Sequence, residues 1–191
     1  MSAEASVFES RPGFGPLPAG DEQPWNLGVV DPPLGVYRGA APAGRGRDPA
    51  RSLAWLRQQG VRMIAMLNGS EQGIDTDREV DLIGRLGLRH DRFDWDGMLR
   101  EKAVGTEPQW RRLLDLIRAG SLYIHCVWGV DRTGAVVARS RREIWGWTAR
   151  AAFAELRAYG FAFERTPEQL EPYQRDVLDY FGLDLRRYEP L

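Results

Sequence analysis

Short apolar runs alternate with amphipathic stretches along the chain, and two periodicities account for most of the pattern. Val61-Arg-Met-Ile-Ala-Met-Leu67 is nearly continuous in apolar character and of strand length, as a strand covered on both faces requires. Gly35-Val-Tyr-Arg38, Leu88 to Phe93 and Leu122-Tyr-Ile-His125 read as further short strands. Helical stretches lie between them. Asp48-Pro49 supplies an N-cap and a first-turn proline for a helix that faces the core with Leu53 and Leu56 and stops at Gly60. Thr76-Asp-Arg-Glu79 has the form of a capping box opening a second helix that ends at Gly87, and Thr106 to Gln109 repeats the form. Trp110, Leu113, Leu114 and Ile117 then fall on one face of a helix ending before Gly120. A helix is expected from near Arg132 to about Trp145, and another from a Thr148 cap to Gly160 with Phe153 and Leu156 inward. The last holds Leu170, Val177, Leu178 and Phe181, with Pro172 kinking it or delaying its start. Strands alternating with helices predict an α/β domain built on a mainly parallel sheet. Residues 1–33, rich in Pro and Gly and aperiodic, read as an N-terminal arm, and residues 34–191 as a single domain without repeats.

Composition narrows the function classes. The 191 residues suffice for one hydrophobic core, and no apolar run approaches the ~18 residues of a membrane span. Met1 to Pro18 has neither a basic start nor an apolar core, so no secretory signal is expected there. One cysteine excludes an internal disulfide and a thiolate zinc cage, and it suits a reducing, cytoplasmic setting. The net charge of −1 gives no case for nucleic acid or an anionic membrane as partner, and nothing in the sequence sets the oligomeric state. Lys102 is the single lysine among 26 basic residues. Coding bias accounts for that preference, so arginine richness by itself says nothing about phosphate.

The chemistry concentrates in His125-Cys-Val-Trp-Gly-Val-Asp-Arg132-Thr133. This segment leaves a strand and enters a helix N-terminus, where α/β folds place ligands. The helix end carries partial positive charge and free N–H groups suited to a dianionic phosphate. Gly129 allows the loop to turn so that backbone amides form an anion nest, and Arg132 can grip two phosphate oxygens through its planar fork. The same field favours the thiolate of Cys126, the nucleophilic form, whose attack on phosphorus would give a phosphocysteine. The Thr133 hydroxyl is positioned to hydrogen-bond the sulfur and ease its departure. His125 is expected to fix the loop rather than to act as a base. Asp131 is expected to orient Arg132 or receive a backbone amide, and Val127, Trp128 and Val130 complete the phosphate loop. A lone cysteine is by default a small core residue. Gly129, Arg132 and Thr133 at these spacings reverse that default.

The loop, together with Gly134, resembles the Cys-x5-Arg signature of the protein tyrosine phosphatase superfamily, and specifically its bacterial dual-specificity-like members related to atypical plant and fungal ones. Val36-Tyr-Arg-Gly-Ala-Ala-Pro42 and the Gly146-Trp147 to Gly160-Phe161 segment are similar to that group as well. At Leu67-Asn68-Gly69 the group's arginine is missing. The resemblance implies a three-layer cysteine-phosphatase fold and hydrolysis of phosphomonoesters without metal or cofactor. It also implies a general-acid aspartate some thirty residues before the cysteine, for which Asp96 and Asp94 are the candidates, Asp96 preferred. Implied substrates are phosphotyrosine proteins, with phosphoserine and phosphothreonine as a wider range and phosphoinositides or inositol phosphates as the alternative. A non-catalytic phosphate-binding module is the non-enzyme alternative. A sulfurtransferase or an arsenate reductase would suit a shorter loop or extra cysteines. Arg38 is read as capping carbonyls or pairing with an acid, Trp128 as either stacking on an aromatic substrate or packing outside the loop, and His90 as a surface residue.

Overall fold

The computed structural model describes residues 16–17, 20–68, 75–93, 107–162 and 165–182. Within them, five strands form a sheet: β1 (Gly28–Asp31), β2 (Val36–Ala40), β3 (Met63–Met66), β4 (Arg89–Arg92) and β5 (Leu122–Cys126), in the order β1-β2-β5-β3-β4. β5 pairs in parallel with β2 and β3, and β3 with β4, while β1 adds antiparallel to β2 at one edge. β1 lies inside the stretch read from sequence as an arm, and the sequence reading did not mark it as a strand. Its four residues, buried at alternate positions, form an edge strand too short to stand out by pattern alone.

Six helices of the described residues cover the sheet: α1 (Pro49–Gln58), α2 (Thr76–Arg85), α3 (Glu107–Ala119), α4 (Asp131–Glu143), α5 (Ala149–Ala158) and α6 (Pro172–Phe181). On one face Leu53 and Leu56 of α1 and Ile83 of α2 pack with Ile64, Met66 and Tyr123. On the other, Trp110, Leu113 and Ile117 of α3 and Val136 and Val137 of α4 pack with Val36, Ala65, Ile124 and Cys126. α5 and α6 lie against the outer side of α4 through Phe153, Leu156, Val177 and Phe181. The result is three layers, with all five residues of β5 buried at the centre. None of the described helices is long and apolar enough to cross a membrane.

The local stop and start signals act where the sequence places them, with one difference at α2. Asp48 accepts from the Ala50 N–H and Thr148 from the Ala151 N–H. Pro172 delays the start of the last helix, one of the two expected outcomes; it occupies the first helical position, where its missing N–H is harmless. The N-cap of α2 is Asp75, whose carboxylate accepts from the Arg78 N–H, so Thr76 and Glu79 do not form the expected capping box. Instead Thr76, Glu79 and Ile83 all turn inward. Thr106, the residue meant to open the second box, lies outside the described residues.

Candidate active site

The alternation of β5 decides which side chains meet. Leu122, Ile124 and Cys126 face α3 and α4, whereas Tyr123 and His125 face α1 and α2. His125 is thus turned away from the face that Cys126 shares with α4. Its Nε2 lies 3.0 Å from Oε1 of Glu79, both side chains being fully buried, and its ring stacks on Tyr123. The Tyr123 hydroxyl donates to the Ala40 carbonyl at the end of β2. Burial pushes the Tyr123 phenol well above its ordinary pKa, with Glu79 and Cys126 adding to the shift and Arg38 opposing it.

Cys126 ends β5, 4% exposed, and the loop that follows lies against the C-terminal end of β2. Ala41 N–H donates to the Val127 carbonyl at 3.2 Å. The Gly129 carbonyl accepts from Nη2 of Arg38 at 2.7 Å and from Nδ2 of Asn26 at 3.2 Å. Gly129 has φ +68°, and a β-carbon there would overlap the Gly39 carbonyl, so no other residue fits without moving β2. Trp128 projects from the loop with 48% exposure, and Val127 and Val130 are half-buried. The chain then enters α4 at Asp131. Among the described residues no side chain caps this helix end, and its positive dipole end stands beside the loop.

Arg132, in that first turn, donates from Nη1 to the Leu67 carbonyl at 2.9 Å, so the exit of β3 steers the guanidinium. Asp131 accepts from Gln174 Nε2 of α6 at 3.4 Å. Thr133 is buried, and its hydroxyl finds no hydrogen-bond partner among the described residues; the bond to the Cys126 sulfur expected from sequence is not made here. Asp94 and Asp96 lie outside the described residues. Among the described residues no cluster of three or more His, Cys, Asp or Glu side chains is arranged to hold a metal ion.

Two groups at the site escaped the sequence reading. Asn26 sits in the aperiodic opening stretch, with φ +55°, and its only signal is the tolerance of asparagine for that conformation. Glu79 was legible in principle. It falls three residues after Thr76 and four before Ile83, on the apolar face of α2, where a carboxylate demands a partner.

No protein-family model matches the chain. A curated relative is the dual specificity protein phosphatase TpbA of Pseudomonas aeruginosa, 27% identical over 158 residues that span 82% of this chain and 68% of the relative. A crystal structure of P. aeruginosa TpbA in complex with pTyr superposes with a TM-score of 0.61 at 19% identity, covering 91% of this chain and 93% of that one. The chain is similar in sequence to a dual specificity phosphatase and shares its fold. The catalytic core of the PP-IP phosphatase SIW14 from S. cerevisiae has the same fold, with a TM-score of 0.58 at 18% identity, over 86% of this chain and 91% of that one. The shared fold thus extends well beyond the loop between Cys126 and Arg132.

Proposed function

We propose that the chain hydrolyses phosphomonoesters, without a metal ion, through a phosphocysteine at Cys126. The observation that carries this reading is the bracketing of one small loop by Cys126 and Arg132. The sulfur ends β5, the guanidinium stands in the first turn of α4, and the turn between them is held by Gly129. In the first step the Cys126 thiolate attacks phosphorus and an S–P bond forms. The P–O bond to the leaving group breaks, and Asp96, or Asp94 in its place, gives its proton to the departing oxygen. Arg132 and the loop amides hold the three equatorial oxygens and stabilise their charge. In the second step the same aspartate takes a proton from water, water attacks phosphorus, and the S–P bond breaks to return thiolate and phosphate. Thr133, buried beside the loop with an unpartnered hydroxyl, is available to donate to the sulfur as it departs. His125, paired with Glu79 on the opposite face, serves the loop as a support.

The substrate class follows from the loop's variable positions. Val127, Trp128 and Val130 bring no cation, which argues against a multiply phosphorylated inositol. Exposed Trp128 offers a flat apolar surface beside the phosphate position, which suits phosphotyrosine, the ligand in the TpbA complex. Phosphotyrosine proteins are therefore the substrates of choice, with phosphoserine and phosphothreonine secondary. Replacing Cys126→Ser tests the nucleophile. Turnover of an aryl phosphate should vanish while tungstate, a phosphate mimic, still binds the loop. Residual turnover at the wild-type rate would remove Cys126 from the mechanism.

A further inference from the structure

Among the described residues Arg38 is one of the largest fully buried side chains, and it is a cation. Its Nη2 donates to the Gly129 carbonyl, while Nε and Nη1 have no hydrogen-bond partner. Among the described residues no carboxylate within salt-bridge distance neutralises it; its guanidinium lies 3.7 Å above the Tyr159 ring. The nearby Glu155 is engaged by Arg141 through both oxygens. A buried guanidinium with one hydrogen bond and no paired anion is a poor device for stability. Its single bond goes to the phosphate loop, 91 residues away in sequence.

A trans peptide unit is planar, so its C=O and the following N–H point in opposite directions. The Gly129 carbonyl is drawn toward the protein body by Arg38 and, more weakly, by Asn26, whose amide also donates to the Tyr159 carbonyl. The Val130 N–H on the same peptide plane is thereby aimed the other way. One peptide pair earlier, the Ala41 N–H draws the Val127 carbonyl inward and sends the Trp128 N–H outward. We propose that Arg38 and Asn26 are positioning residues that preset the Gly129–Val130 peptide, so that its N–H stands ready to bind the phosphoryl oxygens. The inference rests on the reading of the loop as a phosphatase site. It adds that segment 26–41, apart from the signature motif in sequence, orients the anion-binding amides.

The test compares wild type, Arg38→Met and Asn26→Gly for turnover of an aryl phosphate, vanadate inhibition and thermal unfolding. Glycine suits the positive φ at position 26, so Asn26→Gly removes the donor without straining the backbone. Arg38→Met should raise both KM and the vanadate inhibition constant by roughly tenfold or more, from the loss of a charge-assisted hydrogen bond. Asn26→Gly should raise both by about threefold. In both variants the melting temperature should hold level or rise, because a purely structural role would lower it. Should Arg38→Met fail to fold, Asn26→Gly decides alone. KM and vanadate affinity within twofold of wild type in both variants would overturn the inference, as would a loss of activity that merely follows a fall in melting temperature. A wild-type chain without turnover would instead overturn the phosphatase reading itself.

Discussion

At Gly129 a positive φ coincides with an approach to Gly39 that leaves no room for a β-carbon. Gly129→Ala therefore has to shift the loop off β2, carrying with it the carbonyl held by Arg38 and Asn26. A displacement near 1 Å in a positioned site lowers rates by about 10²-fold, so kcat/KM should fall by at least that much. Steady-state kinetics on an aryl phosphate measures it, and activity within a few-fold of wild type would contradict the geometry. The general acid is a second question at this scale. Exchanging Asp94→Asn and Asp96→Asn one at a time should slow kcat by about 10²–10⁴ at one position only, and most for poor leaving groups. Equal, small effects at both would mean that the proton comes from elsewhere.

Helix α4, which presents Arg132 and Thr133, is fixed to its neighbours by a buried ion pair. Arg141 meets Glu155 of α5 in a two-pronged contact of 2.7 and 2.8 Å and donates from Nη1 to the Val30 carbonyl of β1 at 2.6 Å. Trp145, just past the helix, donates to Asp31. Both charges are almost completely buried. Breaking such a pair leaves one charge without a partner, so Glu155→Leu should lower stability by about 3–5 kcal/mol. The double change Arg141→Met with Glu155→Leu should lower it much less, and urea unfolding distinguishes the two. Equal losses would show that the pair itself is not what holds α4 to α5. Elements like these also mark the limit of sequence reading. Asp48-Pro49, Thr148 and the spacing of Trp110 to Ile117 act within a few residues, so they were legible. So was the passage from strand through loop to helix between Cys126 and Arg132, because Gly129 and the apolar run before it carry that signal in their own spacing. Arg38 with Gly129, Glu79 with His125 and Arg141 with Glu155 depend on which strands become neighbours, and no local pattern states that. The misread capping box at Thr76 shows the same limit, because the burial of Glu79 depends on β5 lying beneath α2.

For the whole molecule, the parallel order β2-β5-β3 brings three strand ends together, and each supplies part of the site. β2 leads into the Ala41 amide, β5 delivers Cys126, and the exit of β3 orients Arg132 through Leu67. Packing this much polar backbone near the core leaves two phenols enclosed beside it. Burial pushes Tyr159 up to about 12, against the pull of Arg38, and holds Tyr123 well above its ordinary value. Both stay neutral in the fold at about pH 10, where the unfolded chain begins to ionise them. Their effect on stability is thus flat below about pH 10 and turns unfavourable as pH rises from there. Tyr159 alone should lower stability on the order of 2 kcal/mol by about pH 12. Thermal unfolding followed across that range, with ultraviolet titration of the tyrosines, should show melting temperature falling from about pH 10 and these two phenols ionising later than the exposed tyrosines while the chain is folded. The proposed mechanism turns on the covalent step at Cys126. Rapid quenching during turnover of an aryl phosphate, followed by peptide mass spectrometry, should find a phosphoryl group on Cys126 that is absent from Cys126→Ser. Turnover at the normal rate with no phosphoryl adduct on that cysteine would contradict it.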